Sequence, residues 1–385
     1  MSGLFVSIVL DGVGIGAQHD AALYGDTGAD TLGHVCAAMA PTLPNLERLG
    51  LGCIRPLHGV ARAANPVASY GRLTEVSAGK DSTTGHWELA GLRLEQPFPT
   101  YPDGFPADVV EAFRVATGAT GVLGNLPASG TQILDDLGAE HVATGRPILY
   151  TSADSVFQVA AHTDVIPLDI LYAWCRDARD RICVGEHSVG RVIARPFEGV
   201  AGHWVRRSDQ RKDYALVPDG LPIQEALRRS GIRTVSVGKV ADLFAGYGFV
   251  ETHKTRDNED GIATLLQCLA AVERPAFVWV NLIDFDQEFG HRNDVAGFAG
   301  ALERFDRALP DLEGSLRPGD RLLLTADHGN DPAYPGTDHS REHVPVLYLG
   351  AGAGRDLGLR ASFNDHAATI AGYFGVPFET GGQPF

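Results

Sequence analysis

Leu4-Phe5-Val6-Ser7-Ile8-Val9-Leu10-Asp11 is a short, nearly continuous apolar run, rich in β-branched residues, that ends on an acid. Such a run suits a strand buried on both faces of a parallel sheet, where helices cover both sides and no exposed face imposes polar alternation. The same arrangement returns at 276–282, ahead of Asp284 and Asp286, and at 321–325, ahead of Asp327 and His328. Segments far apart in the chain thus each deliver acids at a carboxyl end. In open α/β sheets ligands collect outside the carboxyl ends of the strands, so these segments are expected to converge on one site.

Between them, helical spacing is read at 221–230, where Ile223, Ala226 and Leu227 share a face, at 261–272, and at 295–309 with Asp294 as its N-cap. A further short strand is read at 235–238. This alternation predicts a doubly wound sheet. The stretch 99–217 has another texture: Pro- and Gly-rich turns around 99–106, short strands at 147–151 and 191–196, and a basic cluster of Arg206, Arg207, Arg211 and Lys212. The expected organisation is a discontinuous core, 1–98 and 218–385, with a smaller α+β cap inserted at 99–217. Phe157, Trp174 and Trp204 are read as core of that insert.

The 385 residues, 44% of them hydrophobic, are enough to bury a substantial core. With 32 Lys and Arg against 48 Asp and Glu, the net charge of −16 argues against a nucleic-acid partner. An anionic small molecule can bind such a chain only where a metal or a local Arg and Lys group reverses the sign. Cys36, Cys53, Cys175, Cys183 and Cys268 are dispersed and form no CxxC pair, which fits a reducing cytoplasm better than a disulfide framework. Neither a basic leader nor an apolar run of membrane-spanning length is found, and no obligate protein partner is evident.

The densest chemistry lies at Ala326-Asp327-His328-Gly329-Asn330-Asp331 and Gly336-Thr337-Asp338-His339-Ser340-Arg341-Glu342-His343-Val344-Pro345. Carboxylate mixed with neutral imidazole suits Mn²⁺ or Zn²⁺ better than an all-oxygen shell would. A second set follows the strand at 276–282: Asp286 and His291 are a short turn apart, and Gly290 between them is expected to supply an unusual backbone angle. A third segment, Gly79-Lys80-Asp81-Ser82-Thr83-Thr84-Gly85-His86-Trp87-Glu88, places successive hydroxyls between glycines without the spacing of a P-loop. Beside metals, one of those hydroxyls could serve as a nucleophile; alone, the segment reads equally well as a helix N-terminus.

Taken with Val9-Leu10-Asp11-Gly12-Val13-Gly14-Ile15-Gly16, these segments occur in the order found in phosphopentomutases, members of the alkaline phosphatase superfamily, and the chain resembles that family over most of its length. Asn125-Leu126-Pro127, the run 150–155 and Ala194-Arg195-Pro196 extend the likeness into the insert. The resemblance implies an alkaline-phosphatase-like α/β core, one metal held by Asp11, Asp327 and His328, and another held by Asp286, His291 and His339. It implies two divalent ions, Mn²⁺ foremost, a bridging nucleophile at Ser82, and a sugar bisphosphate as activator. It further implies interconversion of ribose or 2-deoxyribose 1-phosphate with the 5-phosphate through a phosphoenzyme. Arg195, Arg206 and Lys239 would bind the phosphate that does not react, and Ser152 and Asp154 the sugar hydroxyls. His86, Asp338 and His343 would orient ligands.

Departures from the family pattern are Ser82 in place of threonine, Gly12 in place of serine, and Asn293 in place of the second arginine after the ligand histidine. They leave open a biosynthetic mutase for a modified pentose or another sugar phosphate. The same metals would also serve a phosphatase or phosphodiesterase, and a sugar-phosphate sensor without catalysis is the reading from another class.

Overall fold

The computed structural model describes residues 3–152, 154–350, 352 and 354–385; Ala153, within the 150–155 run quoted above, lies outside the described residues. The chain divides into two compact units, Met1–Gln96 with Pro218–Phe385, and Pro97–Val217. The strands before and within the second unit are β1 (Leu4–Leu10), β2 (Ser69–Leu73), β3 (Leu123–Pro127), β4 (Ile148–Thr151), β5 (Val156–His162), β6 (Arg191–Val200), β7 (His203–Arg206) and β8 (Lys212–Ala215). Those after it are β9 (Arg233–Val237), β10 (Glu251–His253), β11 (Ala276–Leu282), β12 (Arg321–Thr325), β13 (Val344–Leu349) and β14 (Asp356–Arg360).

In the first unit a sheet runs in the order β10-β9-β11-β1-β12-β13-β2-β14. From β10 to β12 every pairing is parallel, whereas β13 runs antiparallel to both β12 and β2. Every residue of β1 and of β11 is buried, the physical reason their sequences do not alternate. The register sets Leu10 opposite Leu282 and Val9 opposite Thr325, so β11, β1 and β12 end at one level. This alignment brings the acids of three distant segments to the same edge.

Helix bounds differ from the sequence reading in ways that have causes. The helix read at 261–272 spans Asn258–Ala271, because Asp257 caps it by accepting from Asp260 N at 2.8 Å. The helix read as ending at 309 runs from Val295 through Pro310 to Gly314. Proline inside a helix costs roughly 3 kcal/mol, but Leu309 and Leu312 continue the buried face of Leu302 and Phe305, and that burial carries the helix on. Asp294 caps its start by accepting from Gly297 N at 2.8 Å, as read.

The second unit holds a sheet ordered β3-β4-β5-β6-β7, with β8 pairing β6. Apolar clusters line it: one contains Phe113, Phe157 and Val192 with Trp174 packed against it, the other Tyr150 and Phe197 with Trp204 packed against it. The aromatic residues therefore act as packing, as expected. Among the described residues no helix is long and apolar enough to cross a membrane.

Candidate active site

Asp11 directly follows β1, and its backbone N–H donates to Leu282 O at 3.1 Å, which ties the end of β1 to the end of β11. Asp327 and His328 follow β12, and all three side chains are fully buried. Asp286 sits in the helical turn Phe285–Gly290 beyond β11, and His291 closes that turn. His339 comes from the loop before β13. Asp284, the other acid after β11, turns to Asn258, accepting from its backbone N–H at 2.8 Å.

His328 Nε2 lies 3.3 Å from Asp11 Oδ1 and 3.5 Å from Asp327 Oδ2. His291 Nε2 is 3.3 Å from Asp286 Oδ2, and His339 Nε2 is 3.4 Å from Asp286 Oδ1. Donor atoms of Asp286, His291 and His339 lie within 4.8 Å of one another, and so do those of Asp11, Asp286 and His328. Asp286 thus reaches both sets, where the sequence reading confined it to one.

The backbone selects the histidine tautomers. His291 Nδ1 donates to Thr337 O at 2.6 Å and His328 Nδ1 faces Gly329 O at 3.1 Å, so in each ring Nε2 is the nitrogen turned to the site, and its lone pair becomes available to a cation once its proton has left. Neighbours also orient the carboxylates. Asn281 Nδ2 donates to Asp11 Oδ2 at 3.0 Å, Asn330 Nδ2 to Asp286 Oδ1 at 2.7 Å, and Gly12 N to Asp327 Oδ1 at 3.1 Å. Sequence reasoning missed the roles of both asparagines. The signal for Asn281 was faint: one amide in the otherwise apolar run of β11.

Burial alone would raise Asp286 and Asp327, but the adjacent imidazoles outweigh it and hold both carboxyls below the usual range. Correspondingly, burial would lower His328 and His291, yet the carboxylates raise His328 well above its usual value and His291 to about 9. The cluster therefore demands positive charge. Asp327 Oδ2 is buried with only imidazole nitrogens near it, His86 Nδ1 at 3.0 Å and His328 Nε2 at 3.5 Å. Mixed carboxylate and imidazole donors, with their other ring nitrogens already engaged, fit divalent metal ions.

Ser82 is the first residue of the helix Ser82–Leu89, capped by Asp81, which accepts from Thr83 N at 2.9 Å and Thr84 N at 3.2 Å. The Thr84 hydroxyl is itself spent on Asp81 at 2.6 Å. Ser82 Oγ instead lies 3.2 Å from His328 Nε2, 3.5 Å from Asp11 Oδ1 and 3.3 Å from Lys239 Nζ. The helix comes this close because residue 85 is glycine: a Cβ there would stand 2.0 Å from Asp327 O.

Lys239, expected beside Arg195 and Arg206, thus meets Ser82 within the first unit, while Ser152, Asp154, Arg195 and Arg206 belong to the second. There a cavity of about 260 Å³ is lined by Tyr150, Arg195, Arg206 and Arg211. Arg195 Nε is itself buried and without a hydrogen-bond partner. Asp154 is half-exposed, 3.8 Å from Arg191 Nη2, and Ser152 O accepts a 3.5 Å contact from Thr151 Oγ1. Of the residues read as orienting groups, His86 Nδ1 is 3.0 Å from Asp327 Oδ2 and Asp338 Oδ1 is 3.6 Å from His339 Nδ1. His343 instead contacts the Thr74 hydroxyl at 3.3 Å.

Gly290 is not among the residues of positive φ; what it supplies is room, since a Cβ would lie 2.5 Å from Asn330 Cγ. Near the site, positive φ occurs instead at Gly12, 76°, and Asn293, 52°, two of the three positions read above as departures from the family pattern. Glycine adopts that region freely and asparagine with less strain than most residues.

The sequence pattern of the metalloenzyme superfamily matches residues 4–378. The chain is 51% identical over 379 residues to a phosphopentomutase of Caldanaerobacter subterraneus subsp. tengcongensis, covering 98% of this chain and 95% of the relative. It is 52% identical over 383 residues to one of an Anaeromyxobacter species, covering 99% and 98%. Among solved structures, the PH0037 protein of Pyrococcus horikoshii superposes with a TM-score of 0.51 at 16% identity, covering 98% of this chain and 99% of the other. A Leishmania mexicana phosphoglycerate mutase gives 0.51 at 14% identity, covering 100% and 97%; at such identities the likeness concerns the fold. Near-complete alignment at half identity, over a chain that brings these acids, imidazoles and a hydroxyl together, places the protein in the phosphopentomutase family of the metalloenzyme superfamily.

Proposed function

We propose that the protein interconverts ribose 1-phosphate, and its 2-deoxy analogue, with the corresponding 5-phosphate through phosphorylated Ser82. The observation that carries this reading is the place of the Ser82 hydroxyl, within 3.5 Å of His328 Nε2, Asp11 Oδ1 and Lys239 Nζ together. Asp11, Asp327 and His328 would hold one divalent ion and Asp286, His291 and His339 another, with Asp286 able to reach either set. Mn²⁺ fits this mixture of imidazole and carboxylate donors. When bound, such ions neutralise the oxygens of a transferring phosphoryl group and favour the ionised form of a nearby hydroxyl.

The residues supply the rest. Phosphoserine 82 gives its phosphoryl group to the free hydroxyl of a sugar monophosphate: the Oγ–P bond breaks, a sugar O–P bond forms, and the hydroxyl proton passes to the serine oxygen. The sugar bisphosphate then returns its other phosphoryl group to Ser82 Oγ, the reverse exchange. Lys239, beside Ser82, compensates charge on the transferring group. Arg195 and Arg206, which line one cavity of the second unit, are assigned to a phosphate, and Ser152 and Asp154 to sugar hydroxyls. A trace of sugar bisphosphate primes unphosphorylated enzyme. The unpaired cysteines agree with a cytoplasmic setting.

The test is incubation of the Mn²⁺-loaded protein with ribose 1-phosphate and a trace of ribose 1,5-bisphosphate, followed by product assay and peptide mapping. Ribose 5-phosphate should predominate and one phosphoryl group should map to Ser82, while Ser82→Ala should bind metal yet take none. Free phosphate as the main product would instead identify a phosphatase.

A further inference from the structure

Between β2 and the Ser82 helix, residues 74–81 form no strand, so the polar groups of this backbone must find partners elsewhere. Two buried side chains provide partners for five of them. Glu88, near the end of the Ser82 helix, collects N–H groups: its carboxylate accepts from Val76 N at 3.0 Å and Ser77 N at 2.6 Å, and also from Phe363 N at 3.0 Å. Arg341 collects carbonyls: Nη1 donates to Ser77 O at 2.9 Å and Gly79 O at 2.6 Å, and Nη2 donates to Glu75 O at 2.8 Å. The same guanidinium pairs with Glu75 Oε2 at 2.8 Å and Asp20 Oδ2 at 3.0 Å, and Arg341 is 2% exposed.

Arg341 stands two residues beyond the ligand His339. Its own backbone N–H donates to Asp26 Oδ2 at 2.8 Å, and Asp26 also receives Lys80 Nζ, from the segment before Ser82, at 3.1 Å. A guanidinium is needed for this arrangement: its planar fork reaches acceptors on several sides at once, which the single ammonium of lysine cannot do.

We propose that Arg341 is a positioning residue for the nucleophile: by gripping the carbonyls of Glu75, Ser77 and Gly79 it fixes the Ser82 hydroxyl relative to the ligand segment to which Arg341 itself belongs. The inference rests on the reading of Ser82 as the phosphorylated residue. A nucleophile displaced by a fraction of an ångström loses in-line geometry while substrate binding and metal binding persist.

The experiment compares wild type, Arg341→Lys and Arg341→Ala, each loaded with Mn²⁺, for metal content, melting temperature, KM for ribose 1-phosphate, and the rate of Ser82 phosphorylation by labelled ribose 1,5-bisphosphate. Arg341→Lys is expected to fold and hold its metals, with KM within about threefold and phosphorylation slowed on the order of 100-fold. Added guanidinium ion should restore phosphorylation to Arg341→Ala. Wild-type rates in Arg341→Lys would overturn the proposal. So would a loss that tracks missing metal or unfolded protein, or a folded, metal-loaded Arg341→Ala that guanidinium leaves unchanged. Wild type that takes no phosphoryl group would bring down the nucleophile reading and this inference together, whereas normal phosphorylation in every variant removes only the role of Arg341.

Discussion

Asn281 reaches from the penultimate position of β11 to the first residue past β1, donating its amide N–H to Asp11 Oδ2 across 3.0 Å, while its own Oδ1 is buried without a partner. An orphaned buried carbonyl destabilises a fold, typically by about 1–3 kcal/mol. Its retention is understandable if the amide is there to aim Asp11. Asn281→Leu should therefore leave the melting temperature equal or higher while weakening metal affinity roughly 10- to 100-fold. Calorimetry of the metal-free protein and the Mn²⁺ dependence of turnover measure the two separately. A variant that loses stability but keeps its metal affinity would show that Asn281 serves the sheet alone.

That asparagine marks where the sequence stops being legible. The strands of the core were readable because β1, β11 and β12 are apolar runs with acids at or just past their ends, and Asp11, Asp286, Asp327 and His328 were readable as candidate ligands because each stands within four residues of a strand's carboxyl end, whereas His291 and His339 stand farther out. Asn281 and Arg341 act across the fold: the partner of Asn281 is 270 residues away, and that of Arg341 at Ser77 is 264 residues away. Only the pairing of β1 with β11, and the burial of Glu75 and Ser77 in a segment without a strand, create their tasks. Pro310 misled in the same way, since local propensity ends a helix there and the packing of Leu312 continues it.

Gly12 offers a test of backbone against side chain. Its φ of 76° is a conformation that other L-residues enter at a cost of about 1–2 kcal/mol. A Cβ would also lie 3.0 Å from Asn330 Cβ and 3.3 Å from Asp286 Cβ, and the Gly12 N–H holds Asp327. Gly12→Ser, which installs the residue expected from the family pattern, should lower stability by about that amount in urea unfolding and weaken Mn²⁺ binding. Unchanged unfolding and unchanged affinity would mean that the turn relaxes freely and that the glycine is incidental.

Metal affinity should rise with pH. Although burial opposes its charge, Asp286 raises the His291 imidazole to about 9, so at neutral pH an incoming ion must displace that proton. The sign follows: a ligand protonated in the free site and deprotonated in the loaded one makes binding tighter as pH climbs towards about 9, close to tenfold per unit for one proton. Titration of the metal-free protein with Mn²⁺ between about pH 7 and pH 8, in buffers of different ionisation heat, reads both the slope and the protons released. A flat affinity with no proton release would show that His291 is neutral before metal arrives.

His366, in the core behind the site, should set part of the acid limit of the fold. It is fully buried, Nδ1 donating to Leu89 O at 2.7 Å and Nε2 lying 2.7 Å from the Ser7 hydroxyl, with the Trp279 ring 5.5 Å away. Burial pushes this imidazole down to about 4, partly offset by the Leu89 carbonyl. In the unfolded chain it titrates near 6.5, so between those values the unfolded state binds a proton that the folded state refuses. The stabilisation is complete above about pH 6.5 and is lost as pH falls towards 4, in total on the order of 3 kcal/mol. His366→Gln removes that titration, whatever it costs in packing. The variant's melting temperature should therefore decline less steeply than the wild type's from about pH 6.5 to pH 4.5. Because both proteins carry the same metal site and the same His343, the difference in slope isolates His366, and parallel curves would locate the acid sensitivity elsewhere.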